Sequence, residues 1–383
     1  MTSDLARLPV CFAPLRRAAV LTEEHLTQTR ANEAVKTAGM KRARTLVISA
    51  ALSAILGAAL AAQQAPDTVE AHIAAAKALN DQGPTPFFTL CSRPSASAPA
   101  AGRGNAPAAG REDQPARGDS RGRGGRQAPD RSQWAAEPVK VFDNLFYVGD
   151  KSISSWAVIT SAGIIIIDAI WDYNVEEQVV GGLRKLGFDP RNIKYVVVSH
   201  GHIDHVGGAW FLQDRFKARV LMSAADWDLL EHTGGSWPKA KRDMIVTDGQ
   251  KLTLGDTTLT MSATPGHTPG TISTLIPVKD GGRPHVAALW GGTGFNFTMS
   301  PERPAAYWYD AYAKSAESFR DAAAKVGADI ILSNHKNWDD SDVKMAALAK
   351  RTAGQPNPYV IGAQSVQRHL MIAAECAKAG RLK

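Results

Sequence analysis

Residues 196–210 read VVVSHGHIDHVGGAW, and His200, His202, Asp204 and His205 fall within six consecutive positions of that stretch. Imidazoles and a carboxylate this crowded offer donors for metal. In an extended segment, side chains two apart point the same way, so His200 and His202 can reach one ion together. Asp204 and His205 lie where the chain turns toward a helix near Val206, and they can face a second position. Gly207 and Gly208 let the backbone turn and pack closely. Two more histidines occupy marked places. His267 sits in SATPGHTPG, between Pro265-Gly266 and Pro269-Gly270, which fix a rigid turn. His335 closes the run ADIILSNH. Imidazoles with one carboxylate suit zinc, tetrahedral or five-coordinate, with a position left for water.

Such groups must be brought together by the elements that carry them. VKVFDNLFYVGD and SISSWAVITSAGIIIIDAI read as short strands separated by turn residues. AGIIIID is a continuous apolar run, which suits a strand covered on both faces. NVEEQVVGGLRKLG reads as a helix, with Asn174 placed to cap it and Glu177 three residues on. IKYVVVS is another buried strand, ending at His200. GGAWFLQDRF is expected to be helical, ARVLMS a strand and AADWDLLEH a helix. A strand-rich stretch runs from Met244 to Val278. HVAALWGG is a further strand, AAYWYDAYAKSAESFRDAAAKVG a long helix, and the tail from Ser341 is mostly helical. Strands alternate with helices in both halves, which predicts an α/β layered fold. The histidines then fall at strand ends and in the loops after them, where α/β proteins collect functional groups.

HGHIDH matches the H-x-H-x-D-H signature of the metallo-β-lactamase superfamily. TPGHTPG resembles that family's second ligand turn and ILSNH its last, in the family's order, over roughly residues 139–340. The resemblance implies a four-layer αββα sandwich and a di-zinc site. His200, His202 and His267 would form a three-histidine pocket, and Asp204, His205 and His335 a second one. The all-imidazole first pocket and the histidine in the second are most similar to subclass B3 β-lactamases. Other branches carry a cysteine or a bridging aspartate where this chain reads ALWGGTGFN. Thr293 stands there, which argues against the first β-lactamase subclass and against a glyoxalase-II-like site. It also departs from the serine usual in B3 enzymes, so β-lactam carboxylate recognition is not implied. Thr293 and Asn296 are the candidate substrate contacts. The activity implied is metal-assisted hydrolysis. A hydroxide shared by two zinc ions attacks a polarised carbonyl, and Asp204 orients the nucleophile.

The formal net charge is +7, but all except one unit of it lies before residue 137. A near-neutral body does not support a nucleic-acid surface. A small-molecule substrate is expected, with no nucleic-acid partner, and the composition leaves the oligomeric state open. From Met40, MKRARTLVISAALSAILGAALAAQQ has a basic start, an apolar run from Thr45 to Leu60 and a small-x-small end at Ala59-Leu60-Ala61. That is the anatomy of a secretory signal peptide over 40–61, marginal for a membrane span. The expectation is a periplasmic or secreted protein with no stable membrane insertion after cleavage. Residues 1–39 are then an over-extended reading of the start site. Residues 62–91 read as a short helical segment. Residues 92–136, rich in Arg, Gly, Ala and Pro, contain almost no large apolar side chain and read as a disordered linker. Residues 137–383 form the catalytic domain. Cleavage would leave Cys91 and Cys376, which an oxidising compartment would allow to pair; two unpaired thiols are the alternative.

His72, His232, His285 and His369 are isolated and read as surface or packing residues. Asp168, ending IIIID, reads as a support behind the ligands or as a strand-end capping group. Trp290 and the aromatic helix beginning AAYWYDAY are candidate lining of the mouth, with core packing the commoner role. The leading reading is a secreted di-zinc hydrolase acting on β-lactam amides. A lactonase or esterase on the same site is the first alternative. An iron oxygenase of the same fold would favour carboxylate-rich shells. A binding protein that lost catalysis would not need the complete donor set.

Overall fold

The structure is a computed structural model that describes residues 66–92 and 128–383. The proposed signal segment, residues 1–39 and the arginine-glycine stretch up to residue 127 lie outside the described residues. No helix among the described residues is long and apolar enough to cross a membrane.

Two β-sheets carry the chain. The first runs in chain order through β1 (Val139–Lys140), β2 (Leu145–Tyr147), β3 (Trp156–Thr160), β4 (Gly163–Ile167), β5 (Ile193–Val197), β6 (Arg219–Ser223) and β7 (Met244–Val246). Its first four strands are antiparallel neighbours, and β4 to β7 run parallel. The second contains β8 (Gln250–Leu254), β9 (Thr257–Ala263), β10 (Ile272–Asp280), β11 (Arg283–Trp290) and β12 (Ile330–Ser333), ordered β12-β11-β10-β9-β8. The helices are α1 (Val69–Asp81), α2 (Arg131–Trp134), α3 (Gly181–Lys185), α4 (Ile203–Val206), α5 (Ala209–Phe216), α6 (Ala224–His232), α7 (Ala305–Lys325), α8 (Ser341–Leu348) and α9 (Ala363–Arg381).

Strand alternation sorts the apolar residues into three cores. Ile165 and Ile167 of β4 face inward, meeting Leu259, Ile276 and Leu332 of the other sheet. Ile164 and Ile166 face outward under helices, with Leu183, Leu212 and Trp227. On the far side of the second sheet, Leu275 and Ile331 pack beneath Phe319 of α7 and Leu370 of α9. The result is the four-layer αββα sandwich, and the unbroken isoleucine run is explained by a strand buried on both faces.

Cys91 and Cys376 are joined by a disulfide, which ties the turn Pro86–Ser92 to α9. His72 reaches α9 as well, with Nδ1 2.6 Å from Glu375 and Nε2 2.9 Å from Asp67. Two sequence expectations need correction. The segment read as a linker to residue 136 is folded from 128 onward. Trp134 is buried, its ring edge-on to Tyr173. Asn174 does not cap its helix. Its amide donates to Asp150 Oδ2 at 3.0 Å, and the helix begins instead with a π-turn over Glu176–Val180. Partners far away in the chain override the local signal in both cases.

Candidate metal centre

All six expected donors converge at one end of the sandwich. His200 follows β5, His267 lies between β9 and β10, and His335 follows β12. The turn His202–Val206 presents Asp204 and His205, with His202 extended just before α4. Donor atoms of His200, His202 and His267 lie within 4.8 Å of one another, as do those of Asp204, His205 and His335. The two groups share a wall, since the His200 and His205 rings are 4.3 Å apart.

Hydrogen bonds fix which nitrogen His200 and His267 offer. His200 Nδ1 lies 2.9 Å from Gly291 O, and His267 Nδ1 2.6 Å from Gly294 O. A carbonyl can only accept, so both Nδ1 atoms carry the proton and both Nε2 atoms present lone pairs. Those Nε2 atoms nevertheless sit 3.1 Å apart. His202 Nδ1 is 3.2 Å from His267 Nε2. Facing lone pairs at this distance repel unless a cation lies between them. Around zinc, with bonds of about 2.0–2.1 Å, neighbouring tetrahedral donors are about 3.3 Å apart. The first pocket therefore fits a metal ion. Burial drives the pKa of His200 and His267 well below the ordinary range, reinforced by the neighbouring imidazoles, and burial lowers His202 too.

The second pocket is held differently. His205 Nδ1 donates to Asp168 Oδ2 at 3.0 Å, and its Nε2 faces His335 Nε2 at 3.2 Å and Asp204 Oδ2 at 3.4 Å. Burial opposes the charge on His205, but Asp204 and Asp168 outweigh it and raise its pKa to about 10. For Asp204, burial is likewise outweighed, here by His205 and His335, and the carboxyl stays well below the usual range. A pocket of one carboxylate and two imidazoles with a carboxylate behind is also a metal-ligand arrangement.

Asp168 supports more than His205: it accepts from Ser199 N at 2.7 Å and from the Ser199 hydroxyl at 2.8 Å. Its backbone is left-handed (φ 61°), as is that of Ile170 (φ 50°). A β-branched residue in that region is strained, and it persists because the loop is locked against the ligand turn. Ala169 N donates to His205 O, and Gly208 N to Ile170 O. Gly208 must lack a side chain, since a Cβ there would lie 2.3 Å from Ala169 O.

Thr293 lies beside the first pocket but is buried, its hydroxyl 2.7 Å from Ser333 Oγ. Asn296 is exposed on the loop that follows. Trp290 does not line a mouth; it is buried, and its Nε1 donates to the Tyr312 hydroxyl at 3.0 Å. Trp308, Tyr309 and Tyr312 of α7 are core, while Tyr307 is exposed. His285 pairs with Asp329, His369 is buried with Nδ1 on Ser365 O, and His232 bonds Asp228 O. Sequence reasoning missed Asn334, whose amide donates to Gly291 O at 2.6 Å beside His200. It also missed Asp226, whose carboxylate reaches both histidine loops of the first pocket.

Residues 148–281 match the family described as the metallo-beta-lactamase superfamily. A subclass B3 metallo-beta-lactamase of Bradyrhizobium japonicum has a similar structure, with 28% sequence identity and a TM-score of 0.53 over 62% of this chain and 91% of that one. Among curated proteins, a hydroxyacylglutathione hydrolase of Acidiphilium cryptum is 30% identical over 45% of this chain and 66% of its own length. An N-acyl homoserine lactonase of Rhizobium radiobacter is 33% identical over 29% of this chain and 46% of its own. The first curated relatives are thus matched over 39% to 66% of their length.

Proposed function

Because the chain belongs to the metallo-β-lactamase superfamily, we propose that it is a secreted di-zinc hydrolase of B3-like type, with β-lactam amides as the first substrates. The paired pockets carry this reading: six converging donors, no thiol among them, with the facing lone pairs of His200 and His267 calling for a cation in the first. Zinc held there supplies Lewis acidity toward a carbonyl and lowers the pKa of water toward neutrality.

The chain's own residues do the rest. His200 and His267 are oriented by the carbonyls of Gly291 and Gly294, so no reorganisation is needed when an ion arrives. Burial of both rings keeps solvent from the inner side of the site. Asp204 turns Oδ2 toward His205 and His335, leaving Oδ1 to accept a hydrogen bond from the attacking water and orient it. Asp168 fixes the His205 tautomer from behind. The Cys91–Cys376 bridge supports an oxidising compartment and hence export.

One observation favours a lactonase or neutral-ester hydrolase as the second reading. The Thr293 hydroxyl is committed to Ser333, so it does not extend toward a substrate carboxylate. The test is metal analysis of the full chain followed by turnover of a chromogenic cephalosporin against an acyl-homoserine lactone. Two zinc ions per chain with cephalosporin turnover is the expected result. Lactone turnover alone would select the second reading, and one iron per chain would overturn both. Export is tested by fractionating cells that express the full sequence.

A further inference from the structure

Ser223 and Asp226 have the spacing of a reciprocal helix cap, in which the acid reaches back to the N–H of the cap residue. Only half of that cap forms. Ser223 Oγ accepts from Asp226 N at 3.2 Å, but the Asp226 carboxylate turns away from α6. Its Oδ2 accepts from Gly201 N at 2.8 Å and from the Thr268 hydroxyl at 2.6 Å. Its Oδ1 accepts from Gly270 N at 2.7 Å. Gly201 separates His200 from His202, while Thr268 and Gly270 follow His267. One carboxylate therefore fastens the two loops that carry all three imidazoles of the first pocket.

The fit around it is close. Asp226 is fully buried. A Cβ on Gly270 would lie 1.8 Å from Ser223 Oγ and 2.8 Å from Asp226 Oδ1. No Lys or Arg among the described residues pairs with Asp226, so its donors are two backbone N–H groups and a hydroxyl. A buried carboxylate held this way has one geometry only, and it transmits that geometry to both loops. We propose that Asp226 is the positioning residue of the three-histidine pocket, setting the spacing of the His200, His202 and His267 nitrogens. This rests on reading that pocket as a metal site. The second pocket has its own supports in Asp168 and in Asp339, whose carboxylate accepts from Ser333 N at 2.8 Å. Asp226 accepts from neither, and its three donors adjoin His200, His202 and His267, so its effect falls chiefly on the first pocket.

The test titrates cobalt(II) into the full chain and into Asp226→Asn, Thr268→Val and Thr268→Ser. The metal-shifted ring N–H resonances of His200 and His267 report one pocket and that of His205 the other. In Asp226→Asn the amide cannot accept from all three donors. The expected loss is about 10- to 100-fold in affinity at the first pocket, with the His205 resonance titrating within about threefold of the parent. Thr268→Val removes one donor alone and is expected to weaken the first pocket by about three- to tenfold, with Thr268→Ser restoring it. The Thr268 pair decides the matter if Asp226→Asn does not fold. Equal weakening of both pockets would reduce Asp226 to a general structural role, and unchanged affinity would remove its role; either overturns the proposal. A parent protein that binds no cobalt at all would overturn the metal-site reading itself.

Discussion

The two pockets share a wall yet are built on opposite electrostatic plans. The three-histidine pocket is assembled from neutral groups: two imidazoles donate to backbone carbonyls, and burial keeps them uncharged. The Asp204–His205–His335 pocket is assembled from charges, with Asp168 behind His205 and Asp204 beside it. A metal entering the first pocket displaces no proton. One entering the second displaces the proton that Asp204 and Asp168 hold on His205. The neutral pocket is therefore expected to keep its affinity across neutral pH, and the charged one to gain affinity as the proton leaves.

The largest effect should come from dismantling either plan at its donors. Asp204→Ala and His202→Ala are each expected to lower turnover by about three orders of magnitude or more, while circular dichroism shows a folded protein. Parent-like rates in either variant would break the assignment of the pocket to which that residue belongs. A second intervention should leave the comparison intact. Cys376→Ser removes the tie between α9 and the 86–92 turn, and it is expected to cost about 2–4 kcal/mol in denaturant unfolding. Metal affinity of both pockets should stay the same, because the bridge lies in the core beyond the second sheet.

Acidity gives the sharpest contrast. The His205 pKa is raised to about 10, so between pH 7 and 9 the imidazolium still holds its proton in the metal-free pocket. Affinity there should rise by about tenfold per pH unit, while the three-histidine pocket, already deprotonated, stays flat. Chelator competition at three pH values reads both, and parallel slopes would erase the distinction. The smallest effect concerns Thr293. Thr293→Val removes one of the Ser333 hydroxyl's partners and leaves the His335 N–H on it, so it is expected to cost about 1 kcal/mol of stability. The KM for substrate should be unchanged, whereas a raised KM would return Thr293 to the substrate contacts.

Much of this was legible from residue types. The six donors stand out because chemistry needs them at strand ends, and the isoleucine run of β4 announced a strand covered on both sides. What stayed hidden depends on partners remote in the chain. Asn174 carries a capping signature, yet Asp150 takes its amide. Ser223 and Asp226 carry another, yet Asp226 serves two loops elsewhere. Trp290 reads as mouth lining until the Tyr312 hydroxyl is found to hold it in the core. Trp134 ends a polar, arginine-rich stretch whose composition does not announce a buried residue; Pro129 O takes its Nε1, and Tyr173, far downstream, packs edge-on against its ring. Local patterns propose a role for each polar group, and the fold decides which competitor takes it.

The bridge between Cys91 and Cys376 closes the polypeptide from residue 91 to residue 376 into a covalent ring that contains all six donors of the two pockets. A single cut anywhere inside that ring opens it without dividing the molecule. A protease that nicks the arginine-rich stretch would leave both pockets on one connected chain, and the break would show only after reduction.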